Sequence, residues 1–177
     1  MPRLDPMPAD RPLTLRSART QDVPVIQALV EPLARERVLL QKEAVAYYEA
    51  IQEFVVAEEA DGTLAGFGAL HVMWQDIAEV RTLAVSEAHR GTGVGHLIIE
   101  ELLDRARAVG VERVFCLTFE VEFFRRHGFE VMADQSAVDP EVYAELLRST
   151  DEGVAEFLDL ARVKPNTLGN TRMIRRL

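Results

Sequence analysis

The 177-residue chain is long enough for one domain with a proper hydrophobic core, and its 48% hydrophobic and 28% charged residues are ordinary for a soluble globular protein. A net charge of -9 argues against nucleic acid or an anionic membrane as partner, although a local basic pocket remains compatible with a phosphate-bearing cofactor. The single cysteine, Cys116, excludes an internal disulfide, and no apolar run approaches the roughly 20 residues of a membrane helix, so a cytoplasmic protein is expected.

Residues 1–12, rich in proline and charge, are expected to be a flexible tail, and residues 13–177 a single domain. Leu13–Ala18 alternates as a first strand. Thr20 then offers an N-cap to a helix carrying Val25, Ile26, Leu29, Val30 and Leu33 at helical spacing. A second helix is predicted over Glu43–Gln52. Phe54–Glu58, the turn Asp61-Gly62-Thr63 and Leu64–Val72 form a hairpin, with Gly66 and Gly68 marking a close backbone approach or a bulge. After Met73–Ile77 comes strand Glu79–Val85. A glycine-rich turn leads into helix Val94–Val109, closed by Gly110. Strand Arg113–Phe119, a short helix at Val121–His127 and strand Phe129–Met132 follow. Pro140–Leu160 reads as helical and amphipathic, and Arg172–Leu177 as a final strand. This order suits a mixed sheet flanked by helices, with the pair joined by the crossover helix parallel.

The sharpest motif is Arg90-Gly91-Thr92-Gly93-Val94-Gly95, between a strand and a helix. Small residues let the chain turn tightly and aim backbone N–H groups at one point, and the helix adds its open N-terminal donors. That is a pyrophosphate cradle, with Arg90 at its rim. The Gly-Lys-Ser/Thr ending of a P-loop is absent, and the glycines do not have Rossmann spacing.

Read as Arg90, Gly93 and Gly95, the turn resembles the R/Q-x-x-G-x-G/A signature of the GNAT N-acetyltransferases. Glu79–Val85 is similar to the family's fourth strand, and Phe123-Phe124-Arg125-Arg126-His127-Gly128-Phe129 to its F-Y-x-x-x-G-F ending. The resemblance covers about Leu13 to Met132. It implies an α/β (α+β) GNAT fold: a mixed, mostly antiparallel central sheet with a parallel, splayed strand pair. It further implies acetyl-CoA as co-substrate, bound by Leu83, Ala84, Val85, Arg90, Gly91, Thr92, Gly93, Val94, Gly95, Phe123 and Arg126. No metal is expected.

Amine acetylation needs a neutral nitrogen, so a base must take a proton from an ammonium that is largely charged at neutral pH. Glu79 occupies the position where many family members carry that base, and His71 is its rival. The family's tyrosine, which protonates the departing thiolate, is Phe124 here. Another hydroxyl is then needed, with Thr171 and Thr118 as candidates. Cys116, in an apolar run, reads as core.

Asn170-Thr171-Arg172 before the last strand resembles the C-terminal motif of N-acetylglutamate synthases. Gly66–His71, Ala78–Val85 and Leu117–Gly128 resemble their acetyltransferase domain. The resemblance implies glutamate as the amine and a place at the entry to arginine biosynthesis. A substrate with two carboxylates calls for at least two cationic or amide groups, and Lys42, Arg81, Asn170 and Arg172 are the candidates. Strand alternation puts Arg81 on the same face as Glu79. The kinase-like domain of many such synthases has no counterpart in these residues, which puts feedback by arginine in doubt. A homodimer is compatible with the family. The alternatives are another small amine or peptide as substrate, or a non-catalytic acetyl-CoA sensor.

Overall fold

In the computed structural model, which describes residues 12–133, 138–160, 163 and 169–177, β1 (Thr14–Ser17) leads into α1 (Val23–Arg35) and α2 (Ala44–Glu49). A meander follows: β2 (Phe54–Glu58), β3 (Leu64–Trp74) and β4 (Ile77–Val85). Then come α3 (Val94–Val109), β5 (Arg113–Thr118), α4 (Val121–Arg126) and β6 (Glu130–Val131). The chain ends with α5 (Pro140–Leu146), α6 (Glu152–Phe157) and β7 (Thr171–Arg176). Most of the tail expected over residues 1–12 lies outside the described residues. None of the described helices is long and apolar enough to cross a membrane.

The elements follow the predicted order, with differences at their ends. Thr20 does not cap the first helix; it opens a 3-10 turn, Thr20–Asp22, and Asp22 stands at the N-cap of α1. β3 and β4 run on to Trp74 and from Ile77, so the expected connection shrinks to Gln75-Asp76. The helix predicted over Glu43–Gln52 stops at Glu49, and a single 3-10 turn, Ile51–Glu53, feeds β2. The amphipathic stretch Pro140–Leu160 is two short helices rather than one. Asp151 caps the second by accepting the Val154 N–H at 3.1 Å.

Among the described residues, seven strands form one sheet in the order β1-β2-β3-β4-β5-β7-β6. All neighbours are antiparallel except β4 and β5, joined in parallel by the crossover helix α3. That parallel pairing lasts only from Ile77↔Arg113 to Glu79↔Phe115. Beyond it β4 stays with β3, while β5 turns its other edge to β7 as far as Thr118↔Thr171. The sheet therefore splits into a V with Glu79 at its apex. Along the open limb, the β4 edge that faced β5 has no strand partner among the described residues.

One face of the sheet is covered by α3, whose Val94, Ile98, Ile99, Leu102, Leu103 and Ala106 are buried. Each larger apolar side chain contributes on the order of 2 kcal/mol. The helix lies close: a Cβ built on Gly68 would meet Leu102 Cδ1 at 2.9 Å, and one on Gly66 would meet Ile98 Cδ1 at 2.9 Å. Here the two strand glycines answer to close approach. The opposite face carries two separate clusters, one under α1 and α2, the other under α5 and α6.

β4 changes face partway. Ala78 and Val80 point to the α3 side, but past a register shift at Thr82 so do Leu83 and Val85. Thr82 has a φ of 54°, a left-handed conformation that costs a β-branched residue on the order of 1–2 kcal/mol.

Candidate active site

The glycine turn is built as a cradle. Ser86 Oγ and His89 Nδ1 lie 2.6 Å apart, and His89 Nε2 meets Glu59, which pins the start of the turn. Gly91 (φ 75°) and Gly93 (φ 91°) adopt left-handed backbones, and a Cβ built on either meets nothing within 4 Å. The Leu97 N–H closes onto the Gly93 carbonyl at 3.1 Å, so the N–H groups of Val94, Gly95 and His96 stand ahead of the helical ladder as open donors. Thr92 turns its hydroxyl back onto the His89 carbonyl at 2.6 Å, away from the cleft. Gly95 lets Phe123 pack in close, at 3.4 Å from a built Cβ.

A cleft of about 950 Å³ runs from this cradle into the V. Of the cofactor contacts expected from sequence, Leu83, Ala84, Val85, Arg90 and Gly91 line it, as do Gly93, Val94, Gly95, Phe123 and Arg126; Thr92 does not. The lining suits acetyl-CoA. Open helix N–H groups with an exposed arginine suit a pyrophosphate, and the unpaired β4 edge offers amide partners to a pantetheine arm.

Glu79 sits at the apex, 5% exposed. Its Oε2 is 2.9 Å from Arg81 Nη2, yet no hydrogen bond of proper geometry reaches that oxygen. Burial pushes its pKa up, and Arg81 pulls it back only in part. Arg81 Nη1 and Nη2 donate to Asp151 at 3.0 and 3.1 Å, while its Nε is buried without a partner. Burial alone would raise the Asp151 pKa, but the Arg81 fork holds it below the ordinary value. Glu156 reaches the same cleft from α6, and burial followed by the nearby Glu79 charge lifts its pKa to about 8.

The remaining expected residues divide. Lys42 and Asn170 line the cleft, Asn170 with a buried Oδ1 that lacks a partner. Arg172 does not line it; its Nε donates to the Glu156 carbonyl at 3.0 Å and its Nη2 to that of Phe157, holding the end of α6. Thr171 stays in the β5–β7 ladder opposite Thr118, and of the two threonines it is Thr118 that lines the cleft. Phe124 is packed edge-on between Phe123 and Phe129, and Cys116 is buried. His71 faces Glu79 across the β3–β4 ladder, but its Nδ1 is held by Glu53 at 2.6 Å.

Sequence reasoning missed Asp151, Gly153 and Glu156. Ser149-Thr150-Asp151-Glu152 ahead of an apolar run is a helix-start signal that points to the α6 cap. No local signal announces its contact with Arg81, 70 positions away.

The acetyltransferase (GNAT) family model matches residues 25–129. The chain belongs to the GNAT acetyltransferase family. Acetyl-CoA is therefore its acyl donor, and the sheet with its single parallel pair is the GNAT fold. A Mycobacterium tuberculosis protein named amino-acid acetyltransferase is 53% identical over 169 residues, covering 94% of this chain and 96% of its own. A solved M. tuberculosis structure in complex with CoA and NLQ superposes with a TM-score of 0.88 at 53% identity, covering 93% of this chain and 99% of that one. N-acetylglutamate synthase from Neisseria gonorrhoeae, complexed with coenzyme A and N-acetyl-glutamate, gives 0.75 at 26% identity. That alignment takes in 95% of this chain but only 36% of the synthase, so the chain spans about a third of that relative's length.

Proposed function

We propose that this GNAT enzyme is an amino-acid acetyltransferase that acetylates the α-amine of L-glutamate, giving N-acetylglutamate at the entry to arginine biosynthesis in the cytoplasm. The observation that carries the reading is Glu79: a buried carboxylate with a raised pKa, at the apex of the V, flanked by Arg81 and with Lys42 in the same cleft. The names and ligands of the M. tuberculosis and N. gonorrhoeae relatives support the same substrate class.

When bound, acetyl-CoA supplies an activated acetyl group as a thioester. Glu79 takes the proton of the incoming ammonium, and its raised pKa brings it nearer the amine's and makes it a stronger base than an ordinary carboxylate. Lys42, the free Nε of Arg81 and the Asn170 amide are the cleft groups available for substrate carboxylates. Open N–H groups on the unpaired β4 limb stabilise developing oxyanion charge. Thr118, which lines the cleft as Thr171 does not, is the hydroxyl that would protonate the leaving thiolate. Arg172 acts on the site by holding the end of α6.

The test is CoA release from acetyl-CoA with glutamate, glutamine, aspartate, ornithine, spermidine and a short peptide supplied singly. Preferred turnover of glutamate supports the reading. Preference for aspartate or glutamine keeps the carboxylate-binding groups but replaces glutamate as the substrate, whereas preference for spermidine or the peptide keeps Glu79 and the cradle but removes the carboxylate pocket. Binding of acetyl-CoA without release in any case makes the chain a sensor.

A further inference from the structure

At the wall of the cofactor cleft, which His96 and His127 line, α3 and the end of α4 bring together the side chains of His96, Glu100 and His127, none of which has a part in the acetyl transfer proposed above. Among the described residues these three form a group whose donor atoms all lie within 4.8 Å of one another. We propose that they bind a divalent zinc-type cation that bridges α3 and α4 beside the cofactor cleft. The proposal does not depend on which amine is acetylated.

The residue types and spacing are those a borderline-soft cation takes. His96 and Glu100 are four apart on α3 and so share a face, one turn from each other. His127 comes from the other helix and is buried, while His96 is exposed, so the ion has both a fixed ligand and a route in. Two imidazoles and one carboxylate with an open position is a ligand set that suits zinc.

The buried ring is already oriented as a ligand. His127 Nδ1 lies 2.8 Å from the Phe123 carbonyl, which can only accept, so that nitrogen carries the proton. Its Nε2 is then a lone pair, aimed at His96 Nδ1 2.7 Å away. A backbone carbonyl fixing the second nitrogen is the usual support of a metal-bound histidine. Phe123 packs on the same ring at a centroid distance of 4.6 Å and restricts it further.

In the metal-free form the His96 Nδ1–H donates to His127. When the cation enters, that proton passes to His96 Nε2 and both facing nitrogens become ligands, with no net change in protons. Two nitrogens on one tetrahedral zinc stand about 3.4 Å apart for bonds of about 2.1 Å, so the rings must part by roughly 0.7 Å. The exposed His96 side chain can supply that movement. Glu100 completes the set by a rotamer change.

The test titrates the full chain, free of acetyl-CoA, with Zn2+ by calorimetry, and with Co2+ as a visible-absorption probe. A single ion per chain is expected, with tetrahedral-type Co2+ bands and a higher Tm. His96→Ala should weaken Zn2+ binding roughly 100-fold or more and abolish the Tm shift, and Glu100→Gln should weaken it about 10-fold. Both positions reach the surface, so the variants keep the fold, which circular dichroism checks. Absence of saturable Zn2+ binding, or equal affinity in wild type and both variants, overturns the site and leaves a hydrogen-bonded histidine pair.

Discussion

Gly153→Ala tests the base assignment by steric displacement rather than by removing the base. A Cβ at position 153 would stand 2.0 Å from Glu79 Oε2, 2.7 Å from its Cδ and 3.0 Å from Oε1. Ordinary contact begins near 3.4 Å, so the carboxylate must retreat by about 1.4 Å. A misplacement of about 1 Å can cost on the order of 100-fold, within the roughly 100- to 10,000-fold that a general base contributes. The expected result is a kcat about 100-fold lower, with the KM for acetyl-CoA changed less than about two-fold, because the cradle on α3 is untouched. Overpacking costs about 1–3 kcal/mol, against at most about 1 kcal/mol gained by alanine over glycine in a helix. The Tm should therefore fall by a few degrees, with the fold retained. Steady-state kinetics and thermal unfolding read both. Shortening the carboxylate in the double variant Gly153→Ala/Glu79→Asp should restore part of the loss, giving activity above the product of the single effects. An unchanged kcat in Gly153→Ala would show that α6 yields in place of the carboxylate and would refute the displacement argument, leaving the base assignment to Glu79→Gln.

Glu79→Gln should lower turnover about 100-fold or more at neutral pH and lose less at high pH, where the amine sheds its own proton; a pH–rate profile parallel to wild type would refute the assignment. Glu156 has a folded pKa of about 8 against an ordinary 4.5, so between those values the native state binds the extra proton and stability falls as pH rises. Glu156→Gln removes that dependence and should gain a Tm advantage over wild type that grows from pH 5 to pH 9; a constant difference would contradict it. Gly93→Ala should cost about 1–2 kcal/mol by backbone strain at φ 91° and weaken acetyl-CoA binding in calorimetry, since the added methyl projects into empty cradle space. Unchanged affinity would mean that the cradle does not touch the cofactor.

The parts of this site legible in the sequence are those set by local chemistry. Arg90–Gly95 declares its turn through residues that tolerate left-handed backbones, and the structure puts Gly91 and Gly93 there. Glu79 and Arg81 share a face because strand parity requires it, and their ion pair follows. Asp151 was hidden because a helical period running through Pro140–Leu160 outweighs a cap signal, and its contact with Arg81 is purely tertiary. Thr82 was hidden for a different reason: a β-branched residue in a left-handed conformation goes against its own propensity, so no local rule finds it. Its strain has a use. Without the bulge, strand parity would put Leu83 and Val85 on the face of Glu79 and Arg81. With it, those two side chains pack toward α3, and Ala84 turns to the opposite cluster. One strand thus presents Glu79 and Arg81 on one face and, two residues on, an apolar wall on the other, while its edge runs between them along the cleft. Acceptor and acyl donor can then approach the same strand from different sides, which is the geometry that direct transfer requires.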